Sequence, residues 1–565
     1  MVRWFTRLFI LLGFVLPPLF LLRPGSAHPA ADLLFTNQTT AVGLTTRHET
    51  ALEIQDRGSL MMGGMAAADF NNDGWTDLFV LGGGGGQPAQ ADSLFINQQD
   101  GTFVNQAQAA GLSTPHVGAG AAVADYNNDG WLDIFVTSFG PPDAPAVGHH
   151  KLYRNNGNGT FTDVAYAAGV NRTSPEIPDG FGATFGDYDL DGDLDLFVAG
   201  WAVIRDPSPR SALGNRLFRN NGDGTFTDVT DQTDIGDDIL HGLSPCFVDM
   251  DGDRYPDLPF VSDFGSTRYL VNNRDGTFTT RDIFGGSKPL DGMGSAVADF
   301  NRDGRPDWYV SEIYDDSGNG RGDGNKLFIN QGDHTYTETG IQAGVYDGGW
   351  GWGTVAVDLN QDGWLDIVET NGWPLPEYEN ELSKVWINNG DGSYTEQAES
   401  LGLIHRLHGM GVVQFDADND GDREIAITAA NDNFNYYRND LSGSDTNWLR
   451  VVLDTGGSPE VAPNGIGSRI VVRAGGQTYT QWMTACPSYI SQSELTAHFG
   501  FGSVAQIDEV RVDWYNGSRT ILNNVPANRT LTLSYADATA DPCADPMCSL
   551  YLPFVQAVFT GQAVE

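Results

Sequence analysis

The chain has 565 residues, a formal charge of −43 and 70 glycines. Its length suffices for two or three hydrophobic cores, and its apolar content of 40% excludes a disordered chain. Charge of this sign repels phosphate backbones, which excludes nucleic acid as a partner. The acids lie in clusters between apolar strands rather than in one solvating tail, so they point to cation binding.

Residues 1–27 read as a signal peptide: Arg3 and Arg7, the apolar run Leu8 to Leu22, then the small-residue cleavage site Gly25-Ser26-Ala27. Pro17 and Pro18 break the short run, so cleavage and export is the reading, with an uncleaved anchor as its alternative. The mature chain is expected to be secreted or at the cell surface, with no integral membrane span.

A nine-residue pattern, D-x-[DN]-x-D-G-x-x-[DE], then recurs seven times at intervals of about 58 residues, room for about four strands and their turns. Each repeat has a Gly-x-Gly segment and a short apolar strand, as at Gly292-Met293-Gly294, before the acidic loop. A second strand such as Leu78-Phe79-Val80 follows. A hairpin ends the repeat: Leu217-Phe218-Arg219-Asn220, the turn Asn221-Gly222-Asp223-Gly224, then Thr225-Phe226-Thr227. The predicted fold is an all-β, seven-bladed β-propeller over residues 33–440. The seventh repeat lacks its last strand after Tyr436-Tyr437-Arg438-Asn439. Leu34-Phe35-Thr36-Asn37-Gln38 resembles the fourth strand Thr102-Phe103-Val104-Asn105-Gln106, so the N-terminus is expected to close the ring.

The loops supply oxygen ligands at positions one, three, five and nine, a carbonyl at seven and a glycine turn at six. This donor set suits Ca²⁺, about one ion per blade. The expected ligands are Asp69, Asn71, Asp73 and Asp77 in loop one, and Asp125, Asn127, Asp129 and Asp133 in loop two. Loop three has Asp187, Asp189, Asp191 and Asp195, and loop four Asp249, Asp251, Asp253 and Asp257. Loop five has Asp299, Asn301, Asp303 and Asp307, and loop six Asp358, Asn360, Asp362 and Asp366. Loop seven has Asp416, Asp418, Asp420 and Glu424. Loop four departs from the pattern, with Arg254 at the turn position and Gly252 two residues early. The position-nine acid can bind through both oxygens.

The opposite rim is expected to carry His116, Asp179, His241, Asp291, Trp350 and His408, near the starts of the inner strands. Acids, imidazoles and an indole around a channel mouth could hold a second metal, a sugar or an acid–base pair. The recurrence of the position favours strand capping. The loops at Trp201 and Trp373-Pro374-Leu375-Pro376 could offer aromatic faces to sugars, and Arg321-Gly322-Asp323 lies in an exposed loop. No nucleophile elbow, phosphate loop or zinc-protease helix occurs. Cys543 and Cys548 are close enough to pair, Cys246 reads as a buried small hydrophobe, and Cys486 could pair with any of them or remain free.

Residues 447–536 alternate at period two, as in Val510-Arg511-Val512-Asp513-Trp514, and predict a small β-sandwich or barrel. The tail 537–565 ends in Leu550-Tyr551-Leu552-Pro553-Phe554-Val555, a docking strand or a surface-attachment tag.

The acidic loop with Leu-Phe-x-Asn-x-Gly-Asp-Gly-Thr-Phe resembles the FG-GAP/VCBS repeat family, which includes the integrin α-subunit propeller. Gly465-Ile466-Gly467-Ser468-Arg469-Ile470, Tyr489-Ile490-Ser491-Gln492-Ser493 and His498-Phe499-Gly500-Phe501-Gly502 are similar to the ASPIC/UnbV domain. Together they resemble the cartilage acidic protein family, which implies an extracellular calcium-binding role. The functional expectation is an adhesion or binding scaffold for a carbohydrate, matrix or protein partner. The alternative is a polysaccharide lyase or hydrolase using the rim residues.

Overall fold

The computed structural model describes residues 33–49, 57–83, 90–139, 149–171, 180–201, 214–235, 241–315 and 322–540. Among them, regular structure is strand with only short helical turns. There are seven four-stranded sheets, a three-stranded sheet and a five-stranded sheet. In sheet one the order is Met65–Ala68, Asp77–Val80, Ser93–Asn97, Phe103–Asn105, each strand antiparallel to the next. The first strands of sheets two to seven are Gly118–Ala124, Gly180–Gly186, Gly242–Pro245, Ser295–Ala298, Gly351–Val357 and Gly409–Phe415. As expected, the N-terminal strand Phe35–Asn37 completes sheet seven by pairing with Asn435–Asn439, with Phe35 opposite Asn439. This repeated all-β arrangement is consistent with a β-propeller.

The Gly-x-Gly segments are explained by close approach between sheets. A Cβ on Gly182 would lie 1.9 Å from the Leu243 carbonyl oxygen of the next sheet. Only a residue without a side chain lets the backbones come so near. Thr428, at the end of a second strand, donates its hydroxyl hydrogen to the Gly63 carbonyl across the junction of sheets seven and one.

A second device links the sheets. An asparagine of each third strand, its last residue in every sheet but the fifth, donates its amide N–H to the carbonyl at loop position two of the preceding sheet. Asn155 reaches Phe70 (2.9 Å), Asn220 Tyr126 (2.9 Å), Asn272 Tyr188 (2.8 Å) and Asn330 Met250 (2.9 Å). Asn388 reaches Phe300 (3.3 Å) and Asn439 Leu359 (3.1 Å). Asn97 of sheet one reaches Ala417 of sheet seven at 2.7 Å. Such buried donors and acceptors would be costly if left unpaired.

The three-stranded sheet runs Ala497–Gly502, Asn447–Asp454, Arg529–Ser534. The five-stranded one runs Gln477–Trp482, Arg469–Ala474, Gln506–Asp513, Ser518–Pro526, Thr539–Ala540. Their apolar faces meet in one core: Leu449, Val451, Ile470, Val472, Val510 and Trp514 cluster with Tyr126, Phe185 and Leu194 of sheets two and three. The C-terminal region therefore packs on the acidic-loop side rather than standing apart. Among the described residues no helix is long and apolar enough to cross a membrane. The expected signal peptide, Cys543, Cys548 and the tail beyond Ala540 lie outside the described residues.

Candidate metal centres

Six of the seven acidic loops are tight backbone coils whose first aspartate accepts loop N–H groups, and in loop seven Asp416 accepts none. Asp69 accepts the N–H groups of Asp73 (3.1 Å) and Gly74 (2.7 Å). Asp125, Asp187 and Asp299 accept the equivalent pairs in their loops. The position-five carboxylate takes the N–H of position seven, as Asp73 does from Trp75 (3.0 Å). The coil needs a left-handed residue at position six, such as Gly74 (φ 86°), and a second at position four, such as Asn72 (φ 56°). This explains loop four. Its glycine, Gly252 (φ 83°), fills position four, and Arg254 takes the left-handed backbone at position six with φ 81°.

The acid at position nine also braces its sheet. Asp77 accepts from the N–H of Phe70 at one oxygen (3.1 Å) and of Asn97 at the other (2.8 Å). Asp195, Asp257, Asp307 and Asp366 likewise accept from the N–H of their own third-strand asparagine.

Burial, reinforced by the neighbouring carboxylates, pushes Asp77, Asp133 and Asp307 up to about 8 and holds Asp195, Asp366 and Glu424 well above the carboxylate range. Three loops bring oxygens of three acids within 4.8 Å of one another: Asp187, Asp189 and Asp195; Asp249, Asp251 and Asp253; Asp416, Asp418 and Glu424. Loop seven is the most open to a cation. Both oxygens of Asp416, Asp418 Oδ1 and Glu424 Oε1 are buried without a hydrogen-bond partner. Uncompensated carboxylate oxygens are costly, and an all-oxygen set fits a hard cation such as Ca²⁺. In loop four the protein's own side chains take part of this role: the Arg274 guanidinium Nε lies 2.6 Å from Asp253, and the His334 imidazole Nε2, whose pKa burial lowers, lies 3.1 Å from Asp251.

The described rim residues are each engaged with neighbours, and His241 and Asp291 meet the same residue, Asp263. His116 is buried, with Nε2 2.8 Å from Asp92 Oδ2, and is not open to a substrate. His241 packs its ring on Phe264 (4.8 Å) and Trp201 (5.7 Å), and burial lowers its pKa. Asp291 donates its N–H to Glu312 and, with burial, helps to raise nearby Asp263 to about 7. Trp350 stacks on Trp373 at 5.1 Å, and the His408 carbonyl accepts the N–H of Ala430. Asp179 and Arg321 lie outside the described residues. The expectation that Trp201 and Trp373 offer sugar-binding faces is corrected: both are buried, 7% and 6% exposed, because they fill an apolar cluster with Phe181, Met293 and Trp352.

Residues 485–493 of the C-terminal region touch the first strands of all seven sheets, which the sequence reading did not foresee. The Gln492 carbonyl accepts from Ala67 N–H (3.0 Å), and the Ile490 carbonyl from Ala121 N–H (3.0 Å). The Ala485 carbonyl accepts from Thr184 Oγ1 (3.1 Å), and the Pro487 carbonyl from Ser244 Oγ (3.1 Å). The Ser488 carbonyl accepts from the N–H groups of both Ser295 (3.0 Å) and Thr354 (3.2 Å), while its hydroxyl donates to the Val412 carbonyl (2.7 Å). Tyr489 and Ile490, fully buried, reach the apolar cluster that holds Trp352 and Trp373. A Cys246–Cys486 disulfide fastens this segment beside sheet four, which corrects the reading of Cys246 as a simple buried hydrophobe. Glu494, next to the segment, binds Arg450 Nη2 at 2.7 Å and also pairs with Arg423. Burial opposes its ionisation, but the two guanidinium groups outweigh it and hold Glu494 at about 2.

The FG-GAP-like repeat family matches residues 69–136, 145–198, 203–259 and 249–310, and the ASPIC and UnbV family matches residues 458–540. The chain is an FG-GAP repeat protein with an ASPIC/UnbV domain. The FG-GAP matches run from loop one through loop five, and sheets six and seven continue the same strand order beyond them. Within the ASPIC/UnbV match lie residues 485–493 and Glu494. Cartilage acidic protein 1 from Homo sapiens is 32% identical over 29% of this chain, and the Xenopus tropicalis protein 29% identical over 34%. The aligned stretch spans 23% and 28% of those relatives, about a quarter of their length. Among solved structures, the V. cholerae biofilm matrix protein Bap1 is 12% identical, with a TM-score of 0.31 over 85% of this chain and 62% of that one. BBS1N in complex with ARL6DN is 9% identical, with a TM-score of 0.41 over 72% and 97%.

Proposed function

We propose that this FG-GAP protein is an extracellular, calcium-binding scaffold. Its seven sheets are the blades of one closed propeller spanning residues 33–440, with about one Ca²⁺ per acidic loop. The ASPIC/UnbV domain, residues 447–536, stoppers the centre of the ring, and the loop surfaces bind a carbohydrate, matrix or protein partner. The ring reading is supported by the asparagine bonds that pass from each sheet to the one before it, including Asn97 to Ala417. The calcium reading rests on one observation above the others: the buried, unpartnered oxygens of Asp416, Asp418 and Glu424 converge in loop seven.

Calcium would be structural. Binding only to the folded state stabilises it by linkage, about 4 kcal/mol for a site held at a thousand times its dissociation constant. A lyase or hydrolase acting at the channel mouth has weaker support, since residues 485–493 fill the centre and His116 is committed to Asp92. Elemental analysis of the dialysed full chain tests the metal reading. About seven calcium ions per chain are expected, and a metal-free protein would overturn it. A glycan and protein array probed in calcium tests the scaffold, with hits expected on one class and a blank array against it.

A further inference from the structure

Loop seven differs from the other loops in what surrounds it. Both oxygens of Asp416 are buried without a hydrogen-bond partner, where the first aspartate of every other loop accepts loop N–H groups. Two buried arginines stand beside it with N–H groups left over. Arg423 Nη2 and Arg450 Nε have no partner either, and the charges of both reach Asp416. Carboxylates and guanidinium groups this close pair directly unless something else claims them. Here the oxygens of Asp416, Asp418 and Glu424 converge on one another, within 4.8 Å, and both arginines turn instead to Glu494.

The same loop carries the junction with the ASPIC/UnbV domain. Leu441, in the link 440–446 that leads to the domain, donates its N–H to Asp422 Oδ2 at 3.1 Å. Arg450 Nη1 donates to Asn419 Oδ1 at 2.7 Å, and the Gly421 carbonyl lies 2.8 Å from His498 Nε2. A side chain on Gly421 would overlap the indole of Trp448, so that ring lies directly on the loop. Glu494 pairs across the junction with Arg423, and its other oxygen accepts from the Thr76 hydroxyl of loop one at 2.7 Å. Leu441, Trp448, Arg450, Glu494 and His498 thus bear on one short turn or on its arginine.

We propose that loop seven is a calcium-dependent latch between the seven sheets and the ASPIC/UnbV domain. When Asp416, Asp418 and Glu424 are turned to a bound cation, Arg423 and Arg450 are left to Glu494. Without the cation, the loop carboxylates compete with Glu494 for the two guanidinium groups and repel it, so the junction loosens. A cation that binds the docked form more tightly must favour docking by the same factor. The inference rests on the calcium reading above and adds a coupling between one site and one interface. The Cys246–Cys486 disulfide still tethers the domain at sheet four, so the loosening is local to loop seven.

The test is amide hydrogen exchange of the full chain, read at residues 439–446 and 490–494, with elemental analysis of each sample. In saturating calcium, Glu424→Gln should hold one ion fewer than wild type and exchange about tenfold faster or more in both stretches. Asp133→Asn alters position nine of loop two; it should also lose one ion but keep the wild-type rates there. Asp418→Asn carries the asparagine that loops one, two, five and six have at that position, a residue the loop fold accommodates. The calcium needed to half-protect the two stretches should rise about fivefold or more in it. Wild-type rates in E424Q despite the lost ion, equal acceleration in D133N, or an unchanged calcium midpoint in D418N would overturn the latch and leave the calcium reading standing. An ion count unchanged in E424Q would show that loop seven holds no ion and would also overturn it. A metal-free wild type would remove both readings.

Discussion

The side chain of Asn97 donates a hydrogen bond to the carbonyl of Ala417 across 320 residues of sequence, at 2.7 Å. It also donates to the Thr76 carbonyl, while its own backbone N–H is held by Asp77. One residue thus joins its strand, its acidic loop and the sheet at the far end of the repeat. With the Thr428 to Gly63 bond, it joins sheet seven to sheet one.

Replacing Asn97 with alanine leaves two buried carbonyls without this donor, which should cost about 2 kcal/mol. Asn221→Ala, in an exposed hairpin turn where the side chain bonds Thr225, should cost a few tenths of that. Chemical denaturation of both variants checks the ordering. Equal losses would mean that the inter-sheet bond contributes nothing.

Glu494 holds two buried arginines, and neutralising it strands both charges. Glu494→Gln should destabilise by about 3 to 5 kcal/mol at pH 7. The pH dependence has a definite sign. The folded pKa near 2 lies below the unfolded value near 4.5, so the contribution is full above pH 4.5 and is lost as pH falls toward 2. The gap between wild type and variant should therefore narrow below about pH 4. A gap that is constant between pH 7 and pH 3 would contradict the buried pairing.

The Cys246–Cys486 link spans 240 residues and ties the central segment to sheet four. Its loss in Cys486→Ser should lower stability by about 2 to 5 kcal/mol, mainly through the freer unfolded chain. Limited proteolysis should then cleave near residues 485–493 sooner than in wild type. An unchanged cleavage pattern and midpoint would show that the hydrogen bonds alone hold the segment.

The repeat, its loops and the strand exchange of Phe35–Asn37 were legible because each is written locally, in glycine positions, acid spacing and a missing final strand. Position four of the loop was not. Its left-handed backbone is filled by Asn72, Leu190, Arg302 and Gln361, residues with no common signature, so Gly252 read as misplaced when it is well placed. The recurring third-strand asparagine was visible as part of a motif. Its role was hidden, because its partner lies on another sheet. The same holds for Ala485 to Ser493, whose backbone partners are spread from Met65 to Gln414. His116 reads as a free rim imidazole only until folding brings Asp92 against it. Four cysteines allow several pairings, and spacing alone could not choose Cys486 for Cys246.

The most direct measurement is the melting temperature of the purified full chain in excess calcium and in chelator. Structural calcium in the acidic loops predicts a rise of many degrees with calcium and a weaker rise with magnesium, whose stricter octahedral shell fits the loops less well. An identical melting temperature in calcium and chelator would contradict the account, leaving the seven loops as hydrogen-bonded turns.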